Sequence, residues 1–223
     1  MKKKATIAAT IVAAGLASCT PSTTTNAVIG YGIIEENTLT RSVKRSDILT
    51  IIETSLPSSL PLTITDEDGN TLTAYTGQTL TLPVGTLHVS ADYNPDGAPV
   101  VGNTTRLTRE PRIVIDSDID VVYNQTRYTV PATFACFAIA VDYSEVSSVT
   151  WSSTHGESGT ANMARCSNAG LLFVCGELTD YTLTVTLHPY ADGYEDTSFT
   201  FSTQYRADAV YAQNGKYYVM HPA

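Results

Sequence analysis

Thr86-Leu87-His88-Val89-Ser90-Ala91-Asp92-Tyr93 alternates without a break. Leu87, Val89, Ala91 and Tyr93 fall on one side of an extended chain, and His88, Ser90 and Asp92 on the other. An apolar face repeating every second residue specifies a half-buried strand. Pro83-Val84-Gly85 ahead of it and Asn94-Pro95-Asp96-Gly97 behind it are turn formers. Upstream, residues 62–65 and 71–75 flank Asp66-Glu67-Asp68-Gly69-Asn70, where Asp-Gly suits a hairpin corner. Residues 78–82 add a strand with Leu80 and Leu82 on one face, and residues 48–53 (ILTIIE) read as the first strand of this half. Residues 98–111 read as a long connection.

Downstream, Asp116, Asp118 and Asp120 share one face of an extended segment and mark the expected boundary between two halves. The row lacks the Gly and the later Glu of a calcium loop and reads as a solvated sheet edge. Residues 133–143 (TFACFAIAVDY) then form the most apolar stretch beyond the N-terminal region. Phe134, Cys136 and Ala138 share one face, and Ala135, Phe137, Ile139 and Val141 the other. This pattern fits a strand buried on both sides at the centre of a sandwich, or a buried helix, which periodicity does not separate. Residues 146–152, 181–188 and 198–203 are further strands. Residues 163–166 and 171–175 form a hairpin about 167–170, and Gln213-Asn214-Gly215 marks a final hairpin. No stretch makes a convincing amphipathic helix. About fourteen strands at short spacing predict an all-β chain of two sandwiches, about seven strands each, in tandem: residues 41–117 and 118–223.

The N-terminus carries an address. Lys2, Lys3 and Lys4 precede an apolar run over residues 5–16, too short to span a bilayer as a helix. Leu16-Ala17-Ser18-Cys19 closes it in the pattern of a bacterial lipobox. That resemblance implies a signal peptide over residues 1–18, cleavage before Cys19, and a diacylglyceryl group on the Cys19 sulfur. The Thr/Ser/Pro-rich start of residues 19–40 reads as a flexible tether. Loss of the three leader lysines leaves 10 basic against 22 acidic residues, a net charge of −12. Such a surface is unsuited to nucleic acid, which needs a basic footprint. It leaves the lipid as the means of holding a membrane.

Chemistry is sparse. His88, His155, His188 and His221 have no His or Cys partner at metal spacing, and neither a metal nor a cofactor is implied. His155, Glu157 and Ser158 share a Gly-containing loop without a nucleophile-elbow motif, so the chain reads as a non-enzyme. Trp151, Tyr190 and Tyr194 stand in or beside predicted loops and are candidate stacking platforms for glycan. Of Cys136, Cys166 and Cys175, the first reads as a buried small hydrophobe, while the other two flank a turn and are candidates to pair.

Leu82-Pro83-x-Gly85-Thr86-x-x-Val89-x-Ala91-x-Tyr93 resembles a hairpin of transthyretin-like and carboxypeptidase-regulatory-like sandwich domains. With the lipobox, the Thr-rich tether and the apolar strand opening the second half, the chain resembles the fimbrillin-like lipoproteins of Bacteroidetes. The resemblance implies an outer-membrane, lipid-anchored protein on the periplasmic or cell-surface face, with a structural or adhesive role. It implies other fimbrial subunits as partners, which exchange strands after proteolysis at a basic residue near the first sandwich. Arg41 and Arg45 stand where such a cut falls. The alternative is an accessory lipoprotein that binds extracellular glycan.

Overall fold

The computed structural model describes residues 9–10, 24–33, 44–96, 98–190 and 194–222. Most of the expected signal peptide, Cys19 and Arg41 lie outside these residues. Strands β1 (Ala9–Thr10) and β2 (Thr24–Ile33) precede helix α1 (Arg45–Ser55). Then come β3 (Pro61–Thr65), β4 (Thr71–Tyr75), β5 (Gln78–Pro83), β6 (Gly85–Tyr93), β7 (Val100–Val101), β8 (Thr105–Thr108), β9 (Ile113–Val121) and β10 (Arg127–Phe134). The chain continues through β11 (Cys136–Asp142), β12 (Val146–Ser153), β13 (Ser158–Thr160), β14 (Ala164–Cys166) and β15 (Ala169–Cys175). It closes with β16 (Leu183–Pro189), β17 (Thr197–Ser202), β18 (Val210–Tyr211) and β19 (Tyr217–Met220). The all-β class is as expected; α1 is not. Its Ile48, Ile51 and Ile52 sit at helical spacing, and Ile48 and Ile51 are buried. β-branched residues made the same segment read as a strand, and tertiary burial overrides that preference.

The two compact units are not in tandem. One comprises Met1–Ile34, Pro57–Tyr93 and Ile113–Thr133; the other comprises Glu35–Leu56, Asn94–Arg112 and Phe134–Ala223. The expected boundary between residues 117 and 118 falls inside β9. That strand pairs with β6 without interruption from Gly85↔Val121 to Tyr93↔Ile113. A continuous ladder with alternate buried residues leaves no room for a linker.

The first unit is an eight-stranded sheet in the order β1-β5-β2-β10-β9-β6-β3-β4. Its buried residues alternate along the strands: Leu62 and Ile64, Leu80 and Leu82, Leu87 and Val89, Val130 and Ala132. The β3–β4 hairpin forms as expected: the Asp66 carboxylate accepts the amides of Asp68 and Asn70, and Gly69 takes φ 82°. The stretch Leu82–Tyr93 is not a hairpin. β5 pairs with β2, whereas β6 pairs with β3 and β9, so Pro83-Val84-Gly85 moves the chain to another part of the sheet. Gly85 at φ 137° makes the corner, a conformation side chains resist.

The second unit is a β-sandwich. A sheet in the order β19-β11-β15-β8-β7, with β14 beside β15, faces a sheet in the order β13-β12-β16-β17-β18. Phe137, Ile139, Val141, Leu172 and Val174 from the first meet Val149, Trp151, Val185, Leu187 and Phe201 from the second in one core. The region 98–111 is not a plain connection, because β7 and β8 pair there across Gly102. Gly102 stands at φ 58°, and a Cβ on it would lie 2.3 Å from the Tyr181 ring, whose hydroxyl donates to the Val101 carbonyl at 2.9 Å. Of residues 133–143, 133–134 end β10 and 136–142 form β11, buried on both faces as one of the two readings held. Its Phe137 face enters the sandwich core, while Cys136, Ala138 and Ala140 face α1 through Ile48 and Ile51. The small side chains on that face leave room for the helix.

Candidate functional site

β2 divides its pairing between two neighbours. Thr25, Ala27 and Ile29 are buried at alternate positions, while Thr24 and Asn26 are exposed, so β2 has one core face. Its first half pairs antiparallel with β5, from Thr24↔Pro83 to Val28↔Thr79. Its second half pairs parallel with β10, from Val28↔Arg127 to Ile33↔Ala132. Only around Val28 are both neighbours engaged; there the Val28 amide donates to the Thr126 carbonyl at 2.9 Å and the Gly77 amide to the Ile29 carbonyl at 2.9 Å. β2 therefore joins β5 to β10. The Tyr31 hydroxyl donates to the Pro57 carbonyl at 3.4 Å, and burial pushes its ionisation up. Downstream in sequence comes Arg41, outside the described residues, and then Arg45, the first residue of α1.

The other sequence candidates resolve as follows. Trp151 is not a surface platform. Only 6% of it is exposed, it lies in the sandwich core, and a Cβ on Gly159 would press on its ring at 3.2 Å. Its strand β12 places it on the inward face, which loop proximity in sequence did not reveal. Tyr190 and Tyr194 are exposed, at the end of β16 and ahead of β17.

The aspartate row lies on β9, an internal strand and not an edge. His88, across on β6, approaches Asp118 at 2.9 Å and Asp116 at 3.2 Å, and the Thr86 hydroxyl donates to Asp120 at 2.9 Å. This is a solvated cross-strand ladder, and among the described residues no group of His, Cys, Asp and Glu is arranged to hold a metal. The loop with His155 is held by Glu157, which accepts from the Ser153 hydroxyl and from the Gly102 amide at 3.1 Å. The Ser153 bond, foremost, holds that carboxyl below its usual range. The His155 ring lies edge-on to Tyr181 at 5.1 Å.

Cys166 and Cys175 do not pair. Cys166 stands opposite Ala169, six residues along β15 from Cys175, which is about 20 Å at strand rise. Cys175 instead stands opposite Cys136. Sequence spacing did not suggest that pair, because the two lie on different hairpins.

No protein-family model and no curated protein sequence matches the chain. Among solved structures, a fimbrial protein of Bacteroides ovatus aligns at 10% identity and a TM-score of 0.46, covering 89% of this chain and 48% of that one. A candidate cell adhesion protein of Bacteroides fragilis aligns at 12% identity and a TM-score of 0.38, covering 72% and 78%. The Bacillus anthracis TIE protein aligns at 14% identity and a TM-score of 0.28, covering 88% and 33%. Likeness at this level leaves the functional reading to the chain's own residues. No helix among the described residues is long and apolar enough to cross a membrane.

Proposed function

We propose that this chain is a lipid-anchored, non-enzymatic envelope protein with a structural or adhesive role, and that β2 is the removable plug of a strand-acceptor groove. The seat of β2 carries the reading: it lies upstream of Arg41 and Arg45, yet it sits inside a sheet. A cut after either arginine separates β2 from the rest of its unit. Loss of β2 then leaves unpaired amides and carbonyls on β5 and β10, above the apolar Leu80, Leu82, Val130 and Ala132. A strand from a second copy restores those bonds by β-augmentation. Because donor and acceptor are different surfaces, the contact propagates into a filament. Fimbrillin-like assembly follows this logic. Burial of Trp151 removes one of the three aromatics behind the glycan alternative, and Tyr190 and Tyr194 stay exposed.

The test is digestion of the full chain with an arginine-specific protease, followed by light scattering. Release of the β2 peptide and growth of a ladder of oligomers is the expected result, with the Arg41→Ala/Arg45→Ala variant remaining monomeric. A chain that is cut and loses β2 but stays monomeric refutes assembly by strand exchange. The anchor is tested separately: Cys19→Ser should move the protein from the detergent phase to the aqueous phase. Unchanged partitioning would exclude lipid at that residue.

A further inference from the structure

We propose that Cys136 and Cys175 form a cross-strand disulfide that ties β11 to β15 in the exported protein. This goes beyond the strand-acceptor reading, since it concerns the other unit and holds whether or not β2 is exchanged.

All three described cysteines carry free thiols in the structure, and Cys136 and Cys175 are each 2% exposed. They are directly opposed in the antiparallel register Cys136↔Cys175. The hydrogen bonds show which kind of opposed pair this is. The Cys136 carbonyl accepts from the Gly215 amide at 2.8 Å, and the Ala138 amide donates to the Lys216 carbonyl at 2.9 Å, both away from β15. Further along the same ladder, Tyr143 donates its amide to the Asn168 carbonyl at 2.7 Å, toward the β15 side. Cys136 lies an odd number of residues from Tyr143, so its backbone groups face the other way. The pair is therefore non-hydrogen-bonded, the kind whose Cα atoms stand about 4.5 Å apart with side chains closest. That separation falls within the disulfide range of roughly 4.4–6.8 Å. Both thiols point to the face beneath α1, where they pack with Ala138, Ala140 and Phe173.

The electrostatics favour the same bond. Cys175 lies below the ordinary thiol range, chiefly because Cys136 hydrogen-bonds to it, with Arg112 and Arg106 assisting against burial. Burial, foremost, pushes the Cys136 thiol up, and the shared hydrogen bond adds to that. Either thiolate can open the exchange, here Cys175. During folding, before α1 covers the pair, its sulfur displaces one sulfur from the disulfide of a thiol–disulfide oxidoreductase, giving a mixed disulfide. The Cys136 thiolate then attacks the Cys175 sulfur and expels the donor's second thiolate. Two thiols lose two protons and two electrons, one S–S bond forms, and the donor's disulfide is reduced to a dithiol. An export signal delivers the chain to a compartment where such donors operate.

Two preparations of the full chain test this: one from the cell envelope, and one reduced and then equilibrated in glutathione redox buffer, which requires no export. Each is unfolded without reductant, alkylated, digested and mapped by mass spectrometry. The expected result in both is a linked peptide pair containing Cys136 and Cys175, lighter by two hydrogens than the reduced pair, with Cys166 alkylated. Reduction should lower the melting temperature by roughly 10 °C. Cys166→Ser should leave the link and that shift intact, and the Cys136→Ala/Cys175→Ala variant should lose all dependence on reductant. Alkylation of Cys136 and Cys175 in the glutathione preparation, or a link through Cys166, overturns the pairing. A link in buffer that is missing from the envelope preparation overturns the oxidised state in the cell.

Discussion

Strands β2 and β11 are both interior to their sheets, but they are held in opposite ways. β11 follows β10 directly, is buried on both faces, and pairs with β15 on one side and β19 on the other along most of its length. Its Phe137 ring is fully buried, tilted against Phe201 at 5.9 Å and edge-on to Tyr218 at 6.0 Å. β2 lies near the N-terminus, has one buried face, and engages each neighbour along only part of its length. A strand covered on both sides and continuous with its neighbours in sequence cannot leave without unfolding the sandwich. Under the proposed cut downstream of it, a strand with one wet face can be replaced by another of similar pattern. On the strand-acceptor proposal, the same secondary structure supports a permanent core in one place and an exchangeable element in the other.

The largest effect expected from this contrast is at β11. Phe137→Ala should cost about 3–5 kcal/mol, the range for truncating a buried aromatic. That is a large part of the 5–15 kcal/mol of a typical domain. Denaturant melts should show the loss, and amide exchange should show protection falling first along β11 and β15. A loss of only a few tenths of a kcal/mol would contradict the two-sided burial of the strand. A smaller effect is expected at β2. Ile29 is also fully buried, but its strand has a wet face and a smaller side chain to lose, so Ile29→Ala should cost about 2–4 kcal/mol. The sharper reading is kinetic: after arginine-specific cleavage, the Ile29→Ala peptide should leave faster than the wild-type one. Equal release rates would show that backbone pairing alone holds β2 and that its apolar face contributes little.

Much of the fold was legible because a strand with one core face leaves a local mark. The alternation in Leu87-His88-Val89-Ser90-Ala91 appears in the structure as Leu87 and Val89 buried beside exposed His88. The turn at Asp66–Asn70 was equally legible, since the Asp66 side chain and Gly69 supply the corner from within five residues. Helix α1 was misread because its isoleucines favour strands, although Ile48, Ile51 and Ile52 sit at helical spacing. What decides it is packing of Ile48 and Ile51 in one cluster with residues of β11 and β15, far away in sequence. Trp151 was misread for a related reason: inward or outward orientation depends on which face of β12 meets the second sheet.

By itself the sequence determined the all-β character, the turn at Asp66–Asn70 and the two-sided burial within residues 133–143. Each of these depends on interactions within about ten residues, so composition and period suffice to express them. Only the tertiary structure decided how the strands combine. It interleaved the two units, divided β5 from β6, seated β2 between β5 and β10, and set Cys136 against Cys175 rather than Cys166 against Cys175. Backbone hydrogen bonding is the physical reason. Every strand offers the same amides and carbonyls to any neighbour, so pairing is chosen by the global packing of apolar faces and not by a code within the strand.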